Sequence, residues 1–270
     1  MTTITTGRRS RSQKLRREQL SFSMYRIAGY IAFILLWQFL STSVLNEVTL
    51  PSPSTVLDEL REIISDNVLW PNVRYTMTSF LIVFALSVPI GVAIGIAMGR
   101  SRWWDSFFRD FNLAGMTTPG LVFVFVGVML FGISRWGRIV PIVLIVVPLV
   151  VVNVVEGVRA IPRDLFDMAR AYSVAPIQRL RHVLIPGIAP FLFTAVRYAI
   201  AVGLRDTALV EVFGGTAGMG FQLRHNFDRF AVGGTLAWAL IIVLAVLIIE
   251  RLLLNNLEKY FFRWRPKAFT

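Results

Sequence analysis

The residues able to do chemistry in this chain are few and lie in two places. One is DMARAYSVAPIQRLRHVLIP, Asp167 to Pro186, a basic strip with two prolines set between strongly apolar stretches. The other is a group of charges inside the apolar run that follows: Arg197, Arg205, Asp206 and Glu211. Charges in apolar surroundings are costly and face a cavity, a partner or one another. There is no cysteine and there are only two histidines, His182 and His225. That excludes disulfides, thiol catalysis and a Cys/His metal site. No Gly-x-Ser-x-Gly, no His-Glu-x-x-His and no pair of aspartates on two facing apolar runs is present. An enzyme working inside a membrane therefore has little to build on.

The elements that must position these residues are membrane helices. Hydrophobic residues make up 55% of the 270 positions and charged residues 16%, against about 25% charged in a soluble domain. The apolar residues fall in runs long enough for a bilayer core, which takes about 20 residues of helix. Six spans are predicted, near residues 27–44, 75–98, 112–131, 139–155, 190–213 and 235–254. The third is interrupted by Thr117-Thr118-Pro119-Gly120, and the fourth contains Pro141 and Pro148. Such breaks at membrane depth either line a cavity or simply kink a bundle. The fold class is all-α, a polytopic helical bundle. Residues 1–23 form a basic tail, 24–74 the first span with an amphipathic segment, 75–257 the core, and 258–270 a closing tail. In the amphipathic segment Thr55 and Asp58 fit a capping box, and Val56, Leu60, Ile63 and Ile64 share a helical face.

The net charge of +12 is concentrated in the tails and certain loops, as the positive-inside bias produces, so nucleic acid is not the implied partner. With Arg8, Arg9, Arg11, Lys14, Arg16 and Arg17 cytoplasmic, six crossings put Arg100 and Arg102, the loop 159–186 and Arg263, Arg265 and Lys267 on the same side. The acidic loop of Glu47, Asp58, Glu59, Glu62 and Asp66 then lies outside, so this is a multi-pass protein of the plasma membrane with both termini in the cytoplasm.

The strip 167–186 is then a cytoplasmic loop, and its residues predict a helical hairpin. Pro162 suits a first helical turn, Asp164 and Asp167 lie near the positive end of that helix, and Arg170 lies further along it. Leu165, Ala169 and Tyr172 share a face. Pro176 starts a second arm with Ile177, Leu180 and Leu184 on one side, and Pro186 is predicted to stop it. A connection with no role is usually about 4–6 residues long. This one is an amphipathic connector resting on anionic headgroups, or a ridge on which something docks.

These residues carry a resemblance. Asp167-Met168-Ala169, three residues, Ser173, nine residues, then Val183-Leu184-Ile185-Pro186 resembles the EAA loop of ATP-binding-cassette importer permeases. That pattern reads Glu-Ala-Ala, three residues, Gly, nine residues, Ile, any residue, Leu, Pro. Met168 departs from its alanine and Ser173 from its glycine, the one residue that enters a left-handed turn without penalty. Leu50-Pro51-Ser52-Pro53-Ser54-Thr55-Val56 is similar to the segment after the first span in permeases for nitrate, sulfonates, taurine and related solutes. Val158-Arg159 with Asp164-Leu165 resembles the lead-in to their loop, and Glu211-Val212-Phe213 with Gly215-Thr216-Ala217-Gly218-Met219-Gly220 resembles their acidic residue and Gly-rich loop. The similarity covers roughly residues 50–265.

The resemblance implies the fold of a type I importer permease, in which the loop is a coupling helix seated in a cytoplasmic ATPase subunit. Leu165, Asp167, Ala169, Arg170, Tyr172, Ser173 and Pro186 would be the coupling residues. It also implies a second permease copy, most simply a homodimer, an external solute-binding protein and surrounding lipid. The permease needs no cofactor of its own. ATP would be bound by the partner, because this chain has no G-x-x-x-x-G-K-[ST] and its three lysines lie in the terminal tails. Asn153, Arg205, Asp206 and Glu211 are candidates for the translocation path, where Arg205 would suit a small anion such as a sulfonate or carboxylate. The alternatives are a structural Arg205–Asp206 pair, an Arg197 that reaches to the interface, and an Asn153 that bonds helix to helix. Among functions, the alternatives are a membrane scaffold that docks a soluble partner without transport and the intramembrane enzyme.

Overall fold

The computed structural model describes residues 24–251, which are helical throughout apart from short connections. Both basic tails lie outside the described residues, as do the last residues of the predicted sixth span. Helix α1 (Met24–Val44) is long and apolar, yet only 6% of its apolar window is buried. Trp37 Nε1 donates to the Pro51 carbonyl (3.0 Å) and Ser41 Oγ to that of Leu50 (2.7 Å), tying α1 to the Leu-Pro-Ser-Pro segment. Helix α2 (Pro53–Ser65) begins earlier than the capping box at Thr55 predicts. Its cap is Ser52, whose Oγ accepts the Thr55 N–H at 3.3 Å. Pro53 explains the shift, since a proline without an N–H is favoured at the first helical position and leaves the cap to the residue before it. Of the predicted stripe, Val56 is buried and Ile64 is exposed.

The core is built on α3 (Leu69–Arg100) and α6 (Arg135–Ala160). Half of the apolar window of α6 is buried, more than in any other described span, and Val146, Val150 and Val154 have no exposure. Gly91, Gly95 and Gly99 of α3 face Val150, Val154 and Val158 of α6. A Cβ on these glycines would lie 2.6, 2.7 and 2.6 Å from the valine Cβ atoms. Between membrane helices van der Waals packing replaces the hydrophobic drive, and small residues four apart let two backbones approach.

The predicted third span, 112–131, falls on two helices, the first of which already begins at Arg102 in the stretch read as a connection. α4 (Arg102–Thr117) and α5 (Gly120–Phe131) meet at 100° across Thr118-Pro119. Pro119 has no N–H to continue α4, and the Thr117 and Thr118 hydroxyls bond back to carbonyls of that helix. Among the described residues five helices are thus long and apolar enough to cross a membrane, and the bent pair counted as one makes six. α5 packs on α6 through another close approach, a Cβ on Gly127 falling 2.1 Å from Pro141 Cγ.

After α7 (Arg163–Ala171), α8 runs unbroken from Pro176 to Gly214 and packs on α6 and α3. Pro186 therefore does not stop the hairpin's second arm, contrary to the sequence prediction. The chain widens into a π turn at Leu180–Leu184, closed by the Ile185 N–H on the Leu180 carbonyl. Pro186 lacks an N–H and crowds the carbonyl four residues back, and the wide turn is where the helix takes up that misfit. Helix α9 (Met219–Asp228) packs on α8 and on α10 (Val232–Ile249), which also covers α2.

Gly95→Ala should force α3 from α6 and destabilise the protein by about 1–3 kcal/mol, seen as a lower melting temperature in detergent. Gly29→Ala, where a Cβ meets nothing within 4 Å, should leave it unchanged.

Candidate functional site

The hairpin stands at the end of α6. Pro162 caps α7 instead of opening it, Asp164 lies in the first turn and Arg170 in the last, as the helix dipole favours. Leu165 and Tyr172 are exposed, at 46% and 80%, but Ala169 is 9% exposed and turned into the chain's own bundle. Phe166 packs against the main core beside it. The exposed apolar line is instead Leu165, Met168 and Tyr172, joined by Ile177 of the second arm. Leu180 and Leu184, predicted to share that arm's ridge with Ile177, belong to the core. Met168 was missed because it departs from the family pattern, although the i, i+3, i+7 spacing with Leu165 and Tyr172 marks one helical face. Asp167 and Arg170 pair with each other at 2.8 Å, both largely exposed. Pro186 sits on the exposed side of α8.

Ser173 makes the turn that glycine would make. Its φ is +53°, the Val174 N–H bonds to the Ala169 carbonyl (2.9 Å) and its own N–H to that of Arg170 (2.9 Å). These are the paired bonds of a Schellman ending, with Ser173 in the left-handed position. The bend therefore keeps the glycine geometry while carrying a Cβ, at a cost of about 1–2 kcal/mol. The base of the hairpin is closed by Ile161, whose Cδ1 would lie 2.7 Å from a Cβ on Gly187.

At the far end of α8, Glu211 is 2% exposed and held in a polar knot. Its Oε2 accepts the Thr76 hydroxyl (2.8 Å) and the Gly220 N–H (3.1 Å). Thr76 Oγ1 accepts the Met219 N–H and Asn72 Oδ1 the Gly218 N–H, both at 2.9 Å. The N–H groups of Gly218, Met219 and Gly220, which open α9, are thus received by side chains of α3 and α8, with the Glu211 carboxyl at the helix end that favours an acidic group. A Cβ on Gly218, which has φ +108°, would lie 2.4 Å from the Glu211 carboxylate. The Gly-rich loop is glycine because it closes over this side chain. Asn72 and Thr76 carry no local signal of the role, lying more than 130 residues from their partners.

The other charges of the α8 apolar run, Arg197, Arg205 and Asp206, are paired. Arg205 Nε bonds Asp206 Oδ1 at 3.1 Å, with the aspartate buried and the arginine side chain 69% exposed. Arg197 reaches Glu250, beyond α10, at 3.2 Å. Asn153 donates to the Leu149 carbonyl of its own helix at 2.8 Å. The structure thus brings the hairpin residues together at one end of the bundle, with Glu211 at the other and Arg205–Asp206 between them along α8. Among the described residues no group of three or more His, Cys, Asp or Glu could hold a metal ion.

Residues 87–260 match the family described as binding-protein-dependent transport system inner membrane component. The chain belongs to this family. It is a permease subunit of an ATP-binding-cassette importer, a transporter component and not an enzyme, and the scaffold reading gives way with the enzyme one. The chain is 27% identical over 276 residues to the bicarbonate transport system permease protein CmpB of Synechococcus elongatus, covering 96% of this permease and 95% of that one. It is 24% identical to the taurine transport system permease protein TauC of Escherichia coli, over 89% and 90% of the two chains. A solved chain of the MetNI methionine ABC transporter, in an inward-facing conformation, superposes with a TM-score of 0.54 at 17% identity. It covers 78% of this permease and 94% of that chain. The fold is that of a type I importer permease.

Ser173→Gly should relieve about 1 kcal/mol of left-handed strain and slow hydrogen exchange at the Val174 amide about fivefold. Ser173→Val, β-branched at the same φ, should speed it.

Proposed function

We propose that this permease imports a small anionic solute, of the sulfonate, taurine, nitrate or bicarbonate kind, driven by ATP hydrolysis in cytoplasmic partner subunits. The observation that carries the coupling half of the reading is the hairpin. Leu165, Met168, Tyr172 and Ile177 form an exposed apolar ridge outside the long apolar helices, on a bend fixed by the Schellman bonds at Ser173. An ATPase subunit seated on that ridge would act directly on α6 and α8, because α7 follows α6 and α8 carries the second arm. The hairpin end, with Arg100, Arg102 and Arg159 beside it, is the cytoplasmic end on this reading, by the positive-inside bias. The end holding the Glu211 knot and α2 faces outward and receives an external solute-binding protein. Two copies of the chain form the path, and the exposed face Val122, Phe125 and Met129 of the short α5 is offered to the second copy.

For the solute, the support is Arg205 and the relatives. Its side chain is largely exposed although it lies nine residues, ~14 Å of helix rise, inside the Gly214 end of α8. An exposed cation at that depth faces a cavity or a partner, and bicarbonate and taurine, named for the relatives, each carry an anionic group. Asp206 sets the orientation of Arg205, while Glu211, enclosed in its knot, holds the outer end of α8 in place.

Uptake into proteoliposomes holding the permease with its ATP-binding subunits, with the solute-binding protein supplied on the outward side, tests both halves. Leu165→Ser with Tyr172→Ala should cut ATP-driven uptake more than tenfold while insertion and melting temperature hold. Arg205→Gln should raise the KM for an anionic solute severalfold and leave ATPase docking intact. Unchanged uptake in the first variant defeats the coupling assignment, and unchanged KM and solute preference in the second defeat the path assignment.

A further inference from the structure

The junction of α3 and α4, the end of α6 and the hairpin enclose a cleft of about 1090 Å³. Its charge is one-sided. Asp105 is buried and already paired with Arg109 and, at 2.8 Å, with Arg159, and Asp167 is paired with Arg170. That leaves Arg100, Arg102, Arg163 and Arg179 lining the cleft with no ion pair among the described residues. Arg179 Nε is moreover buried without a hydrogen-bond partner. A buried donor left in that state is costly, and with the exposed Arg100, Arg102 and Arg163 it gives the cleft four guanidiniums free to receive an anion. The chain's own tails do not supply the anion, because residues 1–23 and 252–270 are both strongly basic.

The second observation is on the other face of α4. Arg102, Asp105, Ser106 and Arg109 line the cleft, while Trp103, Trp104, Phe107 and Phe111 point away, exposed at 65, 40, 51 and 70%. Trp103 stacks on Phe107 at 5.9 Å. Arginines on one face of a helix and Trp/Phe on the other are the composition of a helix lying in the membrane interface. A ligand reaching both faces at the Arg102–Trp103 end has an anionic head and an apolar body.

We propose that this cleft holds the phosphate-bearing headgroup of an anionic phospholipid, with its acyl chains passing Trp103 and Phe107. Guanidinium forks match phosphate oxygens in number and geometry, and a free phosphate would use the same donors but leave the aromatic face uncovered. The lipid would wedge between the α3–α4 junction and the hairpin, so the inference goes beyond transport itself to a lipid that buttresses the moving element.

The test uses the assembled transporter, permease with ATP-binding subunits, purified in mixed micelles of phosphatidylglycerol and phosphatidylcholine and examined by native mass spectrometry. The expected result is phosphatidylglycerol retained in preference to phosphatidylcholine, with retention reduced at least tenfold in Arg102→Gln/Arg179→Gln. Arg224→Gln, whose guanidinium pairs with Asp228 on α9, should retain it fully. A second measurement needs no arginine variant: brominated phosphatidylglycerol should quench the fluorescence contributed by Trp103, taken as the difference from Trp103→Phe, more than brominated phosphatidylcholine does. Equal retention of the two lipids, unchanged retention in the double variant or equal quenching overturns the proposal. Displacement by the same concentration of inorganic phosphate overturns it in favour of a soluble anion. Retention by the permease alone but not by the assembled transporter overturns it in favour of a protein-docking surface.

Discussion

The close contact of α3 with α6 is the constraint on which the other parts rest. Gly91, Gly95 and Gly99 leave no space between the two backbones, and the opposing valines fill what remains. In lipid, where apolar side chains gain nothing by leaving the solvent, such contact is what holds two helices in one register. α6 is thereby fixed along its length, α5 and α8 are packed against it, and the hairpin that follows it inherits its position. Gly157 against Phe191 and Gly187 against Ile161 extend the same device to the α6–α8 contact at the hairpin's base. On this account a load applied to the ridge of Leu165, Met168 and Tyr172 is taken up by two clamped helices and carried along the bundle.

The other end of the bundle is closed by polar contacts. Glu211, Thr76 and Asn72 receive the leading N–H groups of α9, so α3, α8 and α9 are joined where α10 and α2 meet them. Packing dominates the hairpin end and hydrogen bonding the knot, and α8 runs from one to the other. Arg205 and Asp206 lie on this helix between the two closures.

Much of the architecture was legible in the residues. Hydropathy located the long helices, Pro176 marked the second arm, and the spacing from Asp167 to Pro186 pointed to the hairpin. What escaped has identifiable causes. Pro53 moved the α2 cap to Ser52. The break at Thr117-Thr118-Pro119-Gly120 was legible but its size was not, because hydropathy counts residues and does not register a 100° bend between an amphipathic α4 and a short apolar α5. Pro186 was absorbed by a π turn that only the packed helix reveals. Ala169 turned inward because its small side chain fits the bundle, leaving Met168 on the ridge. The glycine seam has a spacing of four that can be read in sequence, yet its partners lie about sixty residues away. The Glu211 knot was legible only in part: the acidic residue and its Gly-rich loop are local, but Asn72 and Thr76 lie more than 130 residues from their partners. Ser173 shows the converse: the turn belongs to the hydrogen bonds around it, and a serine can stand in it at a modest cost.

The central claim, that the hairpin ridge is where the ATP-binding subunit sits, can be tested directly because the chain has no cysteine. Tyr172→Cys introduces a single thiol on the ridge, and a short thiol-to-amine cross-linker can then be applied to the assembled transporter. A cross-link is expected between Tyr172→Cys and the ATP-binding subunit, and none from Arg224→Cys at the other end of the bundle. A transporter that hydrolyses ATP and imports its solute yet gives no adduct at position 172, or gives one at position 224 instead, would contradict it.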